Sequence, residues 1–319
     1  MMVLVLASVN VDLVVAVAAR PLGGQTVLGG DLAVQPGGKG GNQSVAAALA
    51  GAQVRAIGRV GDDAHGELLR EALRSAGVDA SAVQTTPGVA TGVALITVTP
   101  DGENAIVVAA GANALVSESD AGHTSWDDVG VAVAQLELPH PTVTAFARRC
   151  VNAGTRFVLN ASPPRALEPE LLGACDPLVV NAHEAAALTG QPLATSVDAA
   201  ADAAQALQRK GCRSVVLTMG GEGAVVLDTS GCWQLAAPPV ASVVDTTGAG
   251  DCLVGTLAAR LAAGDTLLRA TADAVRTASL AVSRPGAQSS YATRGQALAV
   301  PLPEPVRLRA PDPLWSKEP

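Results

Sequence analysis

The chain has 319 residues, 49% of them hydrophobic and only 16% charged, with a formal net charge of −8. That composition supplies a large core and excludes a disordered chain. With no basic run it also excludes a surface built to track a nucleic-acid backbone. The length suits one α/β core with a small appended domain. Cys150, Cys175, Cys212, Cys232 and Cys252 form no CxxC pair, and an odd number without a secretory signal points to a reducing, cytoplasmic setting rather than a zinc site. The opening "MMVLVLASVNVD" lacks a basic leader and meets Asp12 too early for a signal peptide. No apolar run approaches the roughly 18 residues of a membrane span, so no membrane partner is expected.

In chain order, "VLVLASVN" is a continuous apolar run of the kind found in buried parallel strands. Asn10 and Asp12 alternate where this strand should leave the sheet, the end at which doubly wound folds bind ligands, although polar strand ends are also ordinary. Residues 11–36 are strand-like with no helix between them. "PGGKGGNQSVAAA" (36–48) then gives a glycine turn, Lys39, and Asn42 at the start of an Ala-rich helix over 42–50. It is not a nucleotide P-loop, because Gly40 follows Lys39 and Ala33 stands where an upstream glycine is required. Lysine and amide groups on Gly37–Gly41 suit a polyol better, whereas an ordinary strand–turn–helix junction would need a single glycine. A helical segment follows at 64–76. Residues 91–110 read as a hairpin turning at Pro100-Asp101-Gly102. Together 11–36 and 91–110 are assigned to a small β-sheet lid.

From there apolar runs at 131–137, 156–162, 177–182, 214–220 and 223–228 alternate with helical segments at 140–153 and 196–210. The expected fold is therefore α/β: a doubly wound, mostly parallel sheet with helices on both faces, plus the lid. Glu137 sits at one strand end. Asn181 and Glu184 follow another with capping-box spacing. "TMGGEG", Thr218 to Gly223, is either a plain hairpin turn or a loop that wraps phosphates. The main domain should cover 1–300. The stretch 301–319 holds six prolines and should be extended or disordered. His65, His123, His140 and His183 show no ligand spacing, and neither GxSxG nor a GxGxxG after the first strand occurs.

"DTTGAGD" (245–251) carries the most chemistry. Gly248-Ala249-Gly250 feeds a helix with Leu253, Val254, Leu257, Ala258 and Leu261 on one face and Gly264 as its stop. Free N–H groups and the helix dipole there attract an anion. Asp251 is either a helix cap or a base acting on a hydroxyl. Asp245 would suit a cation as a hard oxygen ligand.

"SVNVD", "GGKGGNQSVAAA", "GDDAHGE", "TGVALI", "GENAIVVAAGAN", "QLELP", "NAHEAAALTG", "TMGGEGA", "DTTGAGD" and "RPGAQ", in this order, resemble the ribokinase-like, PfkB-type carbohydrate kinase family from residue 8 to about 290. The resemblance implies ATP as donor and the 5-hydroxyl of D-ribose as acceptor, giving ribose 5-phosphate. It implies Asp251 as the base and Gly248, Ala249 and Gly250 as an anion hole. Asn10, Asp12, Gly38, Lys39, Asn42 and Glu137 match sugar-binding positions. Asn181, Thr218, Gly220, Gly221, Gly223 and Gly250 match nucleotide contacts, and Glu184 an acid that organises Mg2+ through water. Asp245, Thr247, Ala281, Arg284, Gly286 and Ser290 match a loop for an activating K+. A homodimer joined through the lid is also implied. Cys252, Pro285 and the proline-rich tail depart from the family pattern without removing a reacting group. Kinases of the same family acting on deoxyribose, fructose or a nucleoside are the alternatives, and a non-catalytic sugar sensor on the same scaffold is a further one. With two Phe, three Trp and one Tyr, the chain is short of stacking platforms for a base, which favours a bare sugar.

Overall fold

Valine, leucine and alanine in unbroken runs build strands that are covered on both faces, and the computed structural model, which describes residues 1–100, 103–122 and 124–311, shows where they go. The chain starts with β1 (Met2–Leu6), then leaves that sheet for β2 (Asn10–Ala16) and β3 (Ala33–Gly37). Helix α1 (Lys39–Leu49) returns it to β4 (Val54–Gly61), α2 (Ala64–Ser75) and β5 (Val78–Thr86). A second excursion makes β6 (Gly92–Val98) and β7 (Asn104–Ala109), followed by the short α3 (Glu118–Gly122). Alternation resumes with β8 (Val129–Gln135), α4 (His140–Asn152), β9 (Arg156–Asn160), α5 (Pro169–Ala174) and β10 (Cys175–Asn181). Helices α6 (Ala182–Thr189) and α7 (Val197–Arg209) lead to β11 (Val215–Thr218), β12 (Ala224–Asp228) and β13 (Gly231–Leu235). Helices α8 (Ala249–Ala262), α9 (Leu267–Ala281) and α10 (Arg294–Leu298) precede β14 (Val306–Arg309).

Ten strands form one sheet in the order β14-β13-β12-β11-β10-β9-β8-β1-β4-β5. From β11 to β5 neighbours are parallel, and β12, β13 and β14 extend one edge antiparallel. Successive residues of a strand face opposite sides, so a strand covered on both sides must be apolar throughout. Strand β1 shows this: Val3 and Val5 join a core with α1, α8 and α9, while Leu4 and Leu6 join another with α4 and α7. The second core holds the few aromatics, with Phe146 edge-on to Phe157 and tilted against Trp126.

The lid is a separate sheet, β3-β2-β6-β7, in which β2 and β6 run parallel and the outer pairs antiparallel. Its strands occupy parts of the 11–36 and 91–110 segments. Strands β6 and β7 pair antiparallel as a hairpin should, but Asp101 and Gly102 of the expected turn lie outside the described residues.

Two local expectations need correction. "VLVLASVN" is not one strand: β1 ends at Leu6 and Asn10 already belongs to the lid sheet. Between them the backbone meets α1 so closely that side chains on Gly38 or Gly40 would strike Ala7, Ser8 and Val9. Helix α1 starts at Lys39 rather than at Asn42, because Gly38 takes the left-handed N-cap conformation with φ 81°. Within the proline-rich stretch, expected to be extended or disordered, Val306–Arg309 is extended and pairs with β13, in the gap between Pro305 and Pro311. Arg309 pins that strand to α7 through Gln205 and Asp202.

Candidate active site

Polar residues cluster at the carboxyl ends of the parallel strands: Ser8 beyond β1, Gln135 and Glu137 at β8, Asn160 at β9, Asn181 at β10 and Thr218 at β11. Across these ends lie the N-termini of α1 and α8. The two helices pack against each other at Gly255, where a side chain would run into Gln43 O and, at 2.6 Å, Ala46 Cβ. That close approach joins two sequence motifs some two hundred residues apart.

Asp251 lies in the first turn of α8 and is 7% exposed. It is not a cap, since the N-cap of α8 is Gly248 and no side chain caps the helix. Instead Oδ2 accepts from Asn42 Nδ2 at 3.0 Å and Oδ1 from Gln43 Nε2 at 2.9 Å. Asn42 Oδ1 is held in turn by Gln288 Nε2 at 3.0 Å. At the turn itself Gly248 has φ 73°, and its carbonyl accepts from Tyr291 Oη at 2.9 Å. Ala249 N leans on Thr246 O at 3.2 Å, whereas the amides of Gly250 and Asp251 belong to a helix start that offers no intrahelical acceptor. Gly250 is exposed with open space on its Cβ side. An anion approaching this helix end meets free N–H groups and the positive dipole.

The glycine turn, Glu137 and the start of β2 form the second part of the site. Glu137 Oε2 accepts from Ser8 Oγ at 2.7 Å and from Lys39 N at 3.2 Å, and Ser8 Oγ receives Gly40 N at 3.1 Å. Asn10 Oδ1 is oriented by Asn113 Nδ2 at 2.8 Å. Asp12 lies against Gly37, where a side chain would strike its carboxylate. Burial, then Glu137, then Asp251 push the Asp12 carboxyl from its ordinary 3.8 up to about 7. Burial works against the Lys39 ammonium, but Asp251, Glu137 and Glu184 outweigh it and lift its pKa above the ordinary lysine value. One cation among these carboxylates organises the charge of the site.

Two adjoining cavities open there. One of about 230 Å³ is lined by Lys39, Asn160, Asn181, Glu184, Thr218, Gly248, Gly250 and Asp251. The other, about 470 Å³, shares Asn181, Thr218, Thr246 and Gly250 with it and continues between Gly220, Gly221 and Gly223 and the aliphatic side chains of Val243, Leu253, Val275 and Val282. Asn181 and Glu184 do make the capping box, with Glu184 N on Asn181 Oδ1 at 2.9 Å and Asn181 N on Glu184 Oε2 at 2.8 Å, yet both also line the cavity. Likewise Thr218–Gly223 joins the antiparallel β11 and β12 and also forms the cavity wall. Neither pair of readings excluded the other.

Asp245 stands apart from these cavities. Its Oδ1 accepts from Thr247 N at 2.9 Å and its Oδ2 from Gly286 N at 2.8 Å, while Val244 N reaches Val282 O at 2.8 Å. These bonds stitch 245–247 to the end of α9, at Ala281, and to the loop after it, which carries Arg284, Gly286 and Ser290. Burial would raise the Asp245 carboxyl, but bonds from Thr247 and Gly286 overcome it and keep the pKa below the ordinary value. Backbone N–H groups hold both oxygens of this carboxylate, a hard oxygen donor of the kind a monovalent cation accepts. Glu184, 5% exposed at the cavity wall, fits a hydrated Mg2+, which keeps most of its waters. Among the described residues no three His, Cys, Asp or Glu side chains converge on a metal position. Cys252 is a buried thiol pushed up to about 12, chiefly by burial, and therefore not a nucleophile here.

Reading the sequence missed Ser8, Gln43, Asn113, Gln135, Asn160, Gln288 and Tyr291. Gln43 stands inside "GGNQ" and Gln135 inside "QLELP", but a lone amide carries no spacing signal. Only the fold shows that they meet.

Similarity to known proteins agrees with this geometry. Residues 1–294 match the model of the pfkB family carbohydrate kinases. The chain is 34% identical over 299 residues to a ribokinase of Haemophilus influenzae, covering 92% of this chain and 96% of that protein. A deoxyribokinase of Salmonella typhi is 33% identical over 290 residues, covering 90% of this chain and 94% of its own length. The structure of Arabidopsis thaliana ribokinase complexed with ribose and ATP superposes with a TM-score of 0.85 at 29% identity, over 93% of this chain and 97% of that one.

The Asp12 carboxyl gives a direct electrostatic test. Its folded-state pKa lies above the unfolded one, so its contribution to stability is fully present below about pH 4 and is lost as pH rises through about 7. Asp12→Asn removes that loss. The melting temperature of the variant, measured relative to the parent without sugar, should climb by a few degrees between about pH 4 and pH 8. A difference that does not change with pH would contradict the assignment.

Proposed function

The chain belongs to the pfkB family of carbohydrate kinases, and from that premise we propose that it transfers the γ-phosphoryl group of ATP to the 5-hydroxyl of D-ribose. The observation that carries this reading is the position of Asp251, a buried carboxylate at the mouth of an open helix N-terminus, which lines the smaller cavity beside Gly250, a residue both cavities share. In this reading the sugar lies against Asn10, Asp12, Gly38, Lys39, Asn42 and Glu137. The nucleotide lies along Asn181, Thr218, Gly220, Gly221 and Gly223. Asp251 takes the hydroxyl proton as the sugar oxygen bonds to the γ-phosphorus, and the bond from phosphorus to the β–γ bridging oxygen breaks to release ADP. Charge on the transferring group is met by the Gly248–Gly250 turn and by Lys39. Positioning and electrostatics supply most of what this chemistry requires.

Mg2+ held through water near Glu184 would neutralise the phosphate oxygens. K+ in the loop of Asp245, Thr247, Ala281, Arg284, Gly286 and Ser290 would steady the backbone behind the anion hole. A cytoplasmic setting fits five buried, unbridged cysteines. No helix among the described residues is long and apolar enough to cross a membrane. Deoxyribose is the alternative acceptor, favoured by the similarity to a deoxyribokinase; comparing kcat/KM for the two pentoses decides between them.

We also propose a homodimer through the lid. The strand register aligns Val34, Leu13, Leu95 and Val107 across one lid face, with Leu95 52% and Val107 66% exposed. Such an apolar row is a liability when uncovered, and a second lid would cover it. Lid closure over the sugar would also exclude water, which competes for the phosphoryl group.

Three measurements check these proposals. Asp251→Asn should lower turnover by at least about 100-fold with the fold intact and sugar affinity changed less, since a general base contributes that much; near-parent turnover would remove Asp251 from its role. Turnover should be faster in K+ than in a bulky organic cation at equal ionic strength, and Asp245→Ala should shrink that ratio; equal rates in the parent would mean the loop holds no functional ion. Light scattering at micromolar concentration should give a dimer for the parent and a monomer for the Leu95→Asp/Val107→Asp double variant. A monomeric parent would overturn the dimer, and an unaffected double variant would move the interface off this face.

A further inference from the structure

Behind Asp251 runs a line of three buried amides that the reaction as described does not use. Gln43 on α1 is fully buried, as is Gln135 at the end of β8, and Asn160 at the end of β9 is 8% exposed. Gln43 Nε2 donates to Asp251 Oδ1 at 2.9 Å and to Asn160 Oδ1 at 3.1 Å, and Gln43 Oε1 accepts from Gln135 Nε2 at 2.7 Å. Neither glutamine lines either cavity of the site, so neither is placed to touch sugar or nucleotide.

A core position of this kind is apolar by default, because burying an amide is costly unless every group is bonded. The polarity of the chain is also fixed. An ionised carboxylate and the Asn160 carbonyl only accept, so Gln43 must turn its NH2 towards both. Its carbonyl then faces Gln135, which must supply a hydrogen. Turned over, Gln43 would set its oxygen against two others and its NH2 against that of Gln135. Gln135 meets this demand at its own expense: its Oε1 is buried with no partner among the described residues. A buried acceptor left unbonded requires an explanation, and the orientation of Gln43 provides one.

We propose that Gln43, oriented by Gln135, is a positioning residue that fixes the orientation in which the Asp251 carboxylate meets the acceptor hydroxyl. This rests on the reading of Asp251 as the base. With Gln43 holding Oδ1 and Asn42 holding Oδ2, the carboxylate cannot rotate without breaking a bond. A base held in one orientation meets the hydroxyl without first having to be ordered.

The test is kcat and the sugar KM, with ribose and ATP at one pH, for the parent, Gln43→Leu, Gln135→Met and Asp251→Asn. For Gln43→Leu kcat should fall by about 10- to 100-fold while the sugar KM stays within about threefold. Gln135→Met leaves the Gln43–Asp251 pair in place but removes what orients it, so kcat should fall in the same way by less. If Gln43→Leu does not fold, as judged by its thermal transition, Gln135→Met alone decides. A parent-like kcat in the folded variants overturns the proposal, as does a fall in kcat matched by a rise in KM, which is what a merely structural residue would give. An Asp251→Asn variant with near-parent turnover removes the base itself and this proposal with it. Loss of turnover at Asp251→Asn with a parent-like kcat at Gln43→Leu removes Gln43 alone.

Discussion

The site depends on the packing of α1 against α8. Gly255 lets the two helices approach until Asn42 and Gln43 of one reach the Asp251 carboxylate of the other. That contact joins the glycine turn at the start of α1 to the glycine turn at the start of α8. Everything else in the site is arranged around this pair of helix ends. The strands behind them contribute Glu137, Asn160, Asn181 and Thr218 from their carboxyl ends, as parallel sheets generally do.

The electrostatics follow from the same convergence. Two helix N-termini favour negative charge, and the local side chains are mostly acids around a single lysine. Lys39 is held cationic by Asp251, Glu137 and Glu184 against the cost of burial. Asp12, pushed up by burial and then by Glu137 and Asp251, titrates near neutrality instead. The site therefore holds one carboxyl in balance between its two forms while Lys39 and the open amides wait for an anion.

Much of this was legible in the chain. Unbroken apolar runs alternating with Ala-rich segments specify a parallel sheet covered on both sides, and two helix-free stretches specify the lid. The motifs "GGKGGNQ" and "DTTGAGD" marked both helix starts because glycine at those turns is a conformational requirement, as φ 81° at Gly38 and 73° at Gly248 show. Contacts between distant single residues were not legible. Gln43, Gln135 and Asn160 are unremarkable amides until three elements bring them together, and Tyr291 bonds Gly248 O across 43 positions. The break after Leu6 was hidden because Ala7, Ser8 and Val9, which lie outside both sheets, are as buried as the strand before them. Asn181 and Thr218 show a different limit, since a cap or a hairpin turn can also be a wall of the site.

The central claim is that sugar and nucleotide meet at Asp251. The distance from its carboxylate to the primary hydroxyl oxygen of ribose, in a crystal of the protein with ribose and a non-hydrolysable ATP analogue, tests it most directly. The account requires hydrogen-bond reach, about 2.6–3.2 Å, with the γ-phosphate at the amides of Gly250 and Asp251. A ribose bound elsewhere, or with a different hydroxyl turned to Asp251, would contradict it.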